Sequence, residues 1–302
     1  MMDQAERLRQ IIDNLRVGNN VDPDNSLGVR EKAAKVITVT SGKGGVGKTN
    51  ITINLAIALS QLGRRVTILD ADFGLANIDI LLGIVPKYTL VDVLHNKRNI
   101  LEALTDGPQN IKFMSGGSGV EELIKLDGMQ LEKFVGDISL LDKMSDVILI
   151  DTGAGLSDSV MSFVMAADEV FLVTTPEPTS ITDAYALIKM ISNRDNSKII
   201  KVVVNRAENA NEAKDILNRL SMVTEKFLAM KLYPLGFVPQ DESVIKAVKL
   251  QQPFSLSFPK CEATKQIKEI SRRLVEGSLD IPNRQENGIK SFVRRLVNLM
   301  NT

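Results

Sequence analysis

Gly42-Lys43-Gly44-Gly45-Val46-Gly47-Lys48-Thr49 stands directly after an apolar run, Val36 to Thr40, and opens a stretch of helical periodicity, Lys48 to Leu62, that stops at Gly63. The octet satisfies GxxxxGK[ST] in the strand–loop–helix setting which that motif requires. Its glycines allow the backbone to wrap a phosphate chain closely with N–H groups turned inward, and the helix that follows adds its positive N-terminal end to the same place. In such a loop Lys48 reaches the β- and γ-phosphates and the Thr49 hydroxyl ligates Mg²⁺. The plain alternative, a glycine turn joining strand to helix, would not require the closing Lys-Thr pair.

Outward from this loop the pattern repeats. Val66 to Leu69, Ile111 to Met114, Val147 to Ile150, Val170 to Thr174, Ile199 to Val204 and Leu235 to Val238 are short apolar runs of the kind buried in a parallel sheet, and longer helical patterns such as Pro178 to Ile191 lie between them. This predicts an α/β fold with a mostly parallel sheet flanked by helices on both faces, spanning residues 36–276 as one domain. Two runs end in acids: Asp70-Ala71-Asp72 after the second, and Asp151 after Val147-Ile148-Leu149-Ile150. Acids at the carboxyl ends of parallel strands face the ligand crevice. There Asp151 can hold Mg²⁺ through a water, and the Asp70/Asp72 pair can order the metal's waters and an attacking water. Asn205, at the end of Val202-Val203-Val204, carries an amide able to pair with a purine edge.

The flanks differ from this core. Residues 1–35 begin with Ala5, Leu8, Ile11, Ile12 and Leu15 at helical spacing, followed by a polar tether. Residues 277–302 hold a linker with Pro282 and two glycines, then Ile289 to Met300. In that last segment Ile289, Phe292, Val293, Leu296, Val297, Leu299 and Met300 recur at helical spacing beside Lys290, Arg294 and Arg295, the pattern of a helix that lies in an anionic lipid surface. A terminal helix packed on its own domain has the same periodicity.

Composition narrows the classes. The 302 residues contain 37 basic and 37 acidic side chains, so any contact with nucleic acid or membrane is local. A lone cysteine, Cys261, excludes an internal disulfide and a paired-cysteine metal or iron–sulfur site, and it suits a reducing cytosol. No run reaches the roughly 18 apolar residues of a membrane span, and the N-terminus is charged, so the expectation is neither a secreted nor a transmembrane protein.

From Val36 to Ala263 the motifs and their order resemble the deviant Walker A ATPases, the group that includes MinD, ParA and the nitrogenase iron protein. That resemblance implies a MinD-like P-loop fold that binds ATP/ADP with Mg²⁺ and hydrolyses ATP. Lys43 is the family's signature lysine, which crosses a dimer interface to the partner's nucleotide. The resemblance also places Asn50 where a second threonine often stands, and gives Asp72 the role of assisting hydrolysis at the metal. Phe73-Gly74-Leu75-Ala76-Asn77-Ile78-Asp79 is similar to the first switch, and Asp151-Thr152-Gly153-Ala154-Gly155 to the second. It implies adenine contacts from Asn205, Arg206 and the loop Phe237-Val238-Pro239-Gln240-Asp241.

Within that group the ends resemble the FlhG-like chains, which control flagellar number and placement. Gly153 stands where MinD usually has proline. Asp3, Gln4, Ala5, Leu8 and Arg9 match the DQAxxLR segment with which FlhG-like proteins stimulate the SRP-like GTPase FlhF. The resemblance therefore implies an ATP-bound homodimer and FlhF-type and flagellar C-ring partners. It also implies a cytoplasmic protein that binds reversibly to the inner face of the membrane through its last helix. A MinD-type division-site regulator and a ParA-type DNA-partitioning ATPase are the rivals. The second needs a basic DNA-facing patch, which neutral net charge argues against.

Overall fold

A strand that is apolar on both faces must be covered from both sides, and the apolar runs of this chain are. The structure is a computed structural model, and it describes residues 33–72, 77–116, 122–123, 126–278 and 288–301. The strands are β1 (Lys35–Thr40), β2 (Val66–Ala71), β3 (Thr105–Asp106), β4 (Lys112–Ser115), β5 (Val147–Thr152), β6 (Glu169–Thr174), β7 (Ile199–Ala207) and β8 (Leu232–Pro239). They form one sheet in the order β3-β4-β2-β5-β1-β6-β7-β8. Every pairing is parallel except β3 with β4. The two-residue β3, too short to show a period, is the strand that sequence reading misses.

The longer helices are α1 (Lys48–Gln61), α2 (Gly128–Ile138), α3 (Leu140–Met144), α4 (Asp158–Ala166), α5 (Pro178–Arg194), α6 (Ala210–Leu228), α7 (Glu242–Lys249), α8 (Glu262–Ser278) and α9 (Ile289–Met300). Alternation along β1 shows the two layers. Ile37 and Val39 pack with Ile53 and Ile57 of α1 and Ile267 and Ile270 of α8, whereas Val36 faces Phe134, Phe163 and Phe292 of α2, α4 and α9. The α5 and α6 helices cover β6 and β7 through Leu187, Ile188 and Leu220.

Register then builds the site. Central β1 lies between β5 and β6, with Val39 opposite Asp151, while β2 sets Asp70 opposite Asp151. The phosphate loop and both acidic strand ends therefore open on the same edge, in the crevice where strand order reverses.

The C-terminal helix rests its apolar face on the domain in this structure: Ile289, Phe292, Val293, Leu296 and Val297 of α9 are buried in the core cluster with Val36, Ile148, Ile150 and Phe163. The Phe292 and Phe163 rings lie 6.1 Å apart. Burying each such side chain is worth about 1.5–3 kcal/mol, and a bare sheet face is available to receive them. The same amphipathic period serves a lipid surface or a sheet, so periodicity alone does not decide between them. Of the remaining residues assigned to lipid, Leu299 is exposed, Met300 is partly buried, Lys290 is exposed, and Arg294 and Arg295 are ion-paired to Glu132 and Asp168. The amino-terminal residues Asp3, Gln4, Ala5, Leu8 and Arg9, and residues 73–76 of the first switch, lie outside the described residues.

Candidate functional site

The loop between β1 and α1 is held on several sides. A β-carbon at Gly42 would collide with the backbone of Asp183 in α5, so only glycine lets that helix close over the start of the loop. Gly47 has φ +90°, and a β-carbon there would collide with the Asn205 amide. Asn205 is the first surprise. Its Nδ2 donates to the Val46 carbonyl at 2.7 Å, so this buried side chain, expected to read a purine edge, ties the phosphate loop to the end of β7.

At the mouth of the loop Lys48 and Asp151 are both buried and joined at 3.0 Å. Thr52, one helical turn beyond Lys48, donates its hydroxyl to the same Asp151 oxygen at 3.1 Å. The other oxygen, Oδ2, is buried with no hydrogen-bond partner among the described residues. A buried carboxylate oxygen left unpaired is costly, and a metal-bound water would satisfy it. The residues thus fit Mg²⁺–nucleotide: the Gly42–Thr49 amides and Lys48 on the phosphates, Thr49 and Asp151 toward the metal, with Asp72 beside them. Bound Mg²⁺ would supply charge neutralisation on the phosphates and orient the attacking water.

Asp70 and Asp72 divide the work of the acidic pair. Asp70 is buried and accepts the backbone N–H groups of Asp72 at 3.1 Å, Asn77 at 3.1 Å and Ile78 at 3.4 Å. Burial first, then the Asp151 charge, push its carboxyl up to about 7 against the pull of those amides. It organises the loop; Asp72 is the acid that remains for chemistry. A β-carbon on Gly153 would stand 3.2 Å from Asp72 Oδ1, which places that carboxylate against the second switch. Desolvation raises the Asp72 pKa, Lys48 opposes this, and Asp151 adds to it. A group so placed, near Lys48 and only partly buried, can hold a water by its carboxylate and take up its proton.

Lys43 lies on the rim. Its Nζ donates to Glu177 Oε2 at 2.7 Å and to Thr179 Oγ1 at 3.0 Å, both at the start of α5. The hydrogen bond and charge of Lys43 hold the Glu177 carboxyl below its usual value. In this single chain the signature lysine therefore rests on its own subunit.

The residues assigned to the base lie on adjacent strands, β7 and β8, with Asn205 opposite Val238. Arg206 adopts φ +59° and is exposed, and Phe237 and Pro239 are half-buried at the strand end. Asp241 has a structural role at the start of α7. Its oxygens accept the Ser243 amide at 2.8 Å and the Ala263 amide at 3.3 Å, so it caps α7 and ties down the start of α8. Sequence reading missed Thr52, Glu177 and Thr179. Of these only Thr52 carried a signal, its i+4 spacing from Lys48.

The chain is similar to known proteins in sequence and in fold. The model of the ParA family, described as NUBPL iron-transfer P-loop NTPase, matches residues 32–275. The antiactivator FleN of Pseudomonas aeruginosa is 43% identical over 263 residues, covering 87% of this chain and 93% of that protein. The chain belongs to the ParA/MinD-type P-loop ATPases, in the FlhG (FleN, YlxH) group. A second relative, the flagellum site-determining protein YlxH of Helicobacter pylori, is 33% identical over 98% of this chain and 99% of its own length. Among solved structures, the MinC:MinD cell division protein complex of Aquifex aeolicus superposes with TM-score 0.63 at 29% identity, covering 83% of this chain and 99% of that one. As a member of this family the chain is an ATPase. No helix among the described residues is long and apolar enough to cross a membrane.

Proposed function

We propose that this ATPase is a nucleotide-gated switch that sets flagellar number and placement. In this reading ATP joins two copies, exposes the last helix to an anionic membrane, and lets the amino-terminal segment act on an FlhF-type GTPase. The observation that carries it is similarity to FleN and YlxH along nearly the whole chain. Assembly with flagellar C-ring proteins belongs to the same reading.

The dimer rests on Lys43. Its ion pair with Glu177 is half-exposed, and exposed pairs are worth little, so a γ-phosphate presented by a second copy can draw it across. Hydrolysis removes that phosphate and the reason for the dimer. Light scattering tests this: the protein doubles its mass with ATP and returns to one copy with ADP. Lys43→Ala should lose both the dimer and turnover, whereas Asp72→Ala should keep ATP and remain dimeric. Equal mass with ATP and ADP contradicts the switch.

Release of α9 has a candidate route. A cavity of about 40 Å³ beneath the helix is lined by Phe292, Val293 and Leu296 on one side and by Leu69, Asp70 and Ala71 on the other. Asp70 also holds the amides of Asn77 and Ile78, where the first switch ends. A change in that loop is therefore felt directly under the helix, at a point where packing is already incomplete.

For the amino-terminal segment, Ala5, Leu8, Ile11 and Ile12 recur in the sequence at the spacing of one helical face ahead of a polar stretch, a pattern suited to a partner's groove. A synthetic peptide of residues 1–20 should accelerate the GTPase of an FlhF-type protein. No acceleration at saturating peptide removes this part of the reading. If binding to non-specific DNA under ATP exceeds binding to anionic liposomes, the chain is a partitioning ATPase instead.

A further inference from the structure

The end of the sheet away from the nucleotide carries a second group of acids that the ATPase chemistry does not use. Asp142 on α3 accepts the Ile289 amide at 2.9 Å and the Ala34 amide at 3.2 Å, both on Oδ1. It therefore caps the first turn of α9 while gripping the start of β1. Asp168, just before β6, repeats the arrangement. Its Oδ2 accepts the Val36 amide at 2.9 Å, and its Oδ1 accepts from the Arg295 guanidinium at 3.1 Å. Asp168 is nearly buried, at 10% exposure, and Arg295 is 37% exposed, so their bond is partly shielded from water and salt. A third acid, Glu132 on α2, meets Arg294 at 2.7 Å but in the open, with the two side chains 63% and 47% exposed.

We infer that Asp142 and Asp168 form a clasp that retains the C-terminal helix on the domain, competing with acidic lipid headgroups for the same helix end and the same arginine. The inference rests on the reading of α9 as a lipid anchor, and it adds what sets the strength of retention. Apolar packing alone would suit a helix that never leaves. A helix that must leave needs contacts a membrane can replace. Anionic headgroups offer Arg295 the charge that Asp168 offers. The cap on Ile289 is lost when the helix departs and regained when it returns. Because β1 and the two acids grip each other through Ala34 and Val36, the acids stay fixed in place when α9 is gone, so the helix can redock without reordering them. Glu132 is the internal contrast: its pair is exposed and should contribute little.

The test uses the full chain with ADP and two readouts. Hydrogen exchange of a peptide covering residues 289–300 reports retention itself, and co-sedimentation with phosphatidylglycerol-containing vesicles reports lipid competition. Asp168→Asn keeps an oxygen for the Val36 amide and removes only the charge facing Arg295; Asp142→Ala removes the cap. Each should raise the exchange of α9 about 10-fold, and the pair more. Glu132→Gln should do almost nothing. Should an aspartate variant misfold, Arg295→Gln removes the same contact from the helix side and should give the same rise in exchange. Vesicle binding under ADP should rise in step for the aspartate variants. Faster exchange without vesicle binding would uphold the clasp and refute the lipid reading on which its purpose rests. Unchanged exchange in Asp168→Asn, Asp142→Ala and Arg295→Gln, or an equal effect from Glu132→Gln, overturns the clasp.

Discussion

Lys48→Ala should abolish ATP turnover, and it should also lower the stability of the protein without nucleotide by about 3–5 kcal/mol. The two effects have one cause. Lys48 and Asp151 are buried against each other at 3.0 Å, and removing the ammonium leaves the buried Asp151 carboxyl with the Thr52 hydroxyl as its remaining side-chain partner among the described residues. In the nucleotide complex the same ammonium would lie on the phosphates, so its loss removes charge where the transferred group carries most. Denaturant unfolding and phosphate release, measured on one preparation, separate the effects. Lys48→Met, which keeps the apolar stem, should recover little stability because the orphaned carboxylate remains. Asp151→Asn with intact Lys48 should also lose turnover. A fully stable but inactive Lys48→Ala would mean that Asp151 finds another partner and that the pair is not a structural element.

The second large effect concerns α9. Ending the chain at Asn283 strips the sheet of Ile289, Phe292, Val293, Leu296 and Val297, all buried, and uncovers Ile148, Ile150 and Phe163. Phe292→Ala alone should cost about 3–5 kcal/mol, the usual range for deleting a buried ring. The truncated chain should lose at least as much, bind an apolar dye and self-associate, while its phosphate loop, held by α5 and β7, still binds ATP. Thermal unfolding and dye fluorescence check this. It also bears on the choice of variants: Phe292→Glu would place a charge in the core, so loss of lipid binding in that variant would not distinguish a missing anchor from a damaged domain.

The residues that made the site legible are those whose chemistry depends on local order. The octet Gly42–Thr49 is a contiguous loop, and Asp72 and Asp151 follow apolar runs, so sequence reading could place them on strand ends. The buried parallel strands were legible for the same reason: their residues are apolar on both faces and short. What could not be read is what depends on a neighbour brought from afar. Asn205 was expected at the base and is found on the Val46 carbonyl, 159 residues away in sequence. Glu177 and Thr179 hold Lys43 across a similar separation, 134 and 136 residues, and nothing in their own neighbourhood marks them. Asp241 lies in a loop that resembles a base-contacting segment, and its carboxylate also accepts two backbone amides, one of them 22 residues away, which the sequence does not show. The helix α9 was legible as amphipathic, but its partner surface was not, because a sheet face and a lipid surface select the same spacing.

The central claim is that nucleotide state decides whether the last helix rests on the domain or on a membrane, and one measurement addresses it most directly. Asp72→Ala protein, expected to hold ATP without hydrolysing it, is sedimented with phosphatidylglycerol-containing vesicles under ATP and under ADP, with hydrogen exchange of residues 289–300 followed in the same samples. The account predicts that ATP brings the protein down with the vesicles. Without vesicles, ATP should also speed the exchange of that peptide, while ADP leaves the protein in solution with the peptide protected. Equal sedimentation and equal protection in the two nucleotides would contradict it.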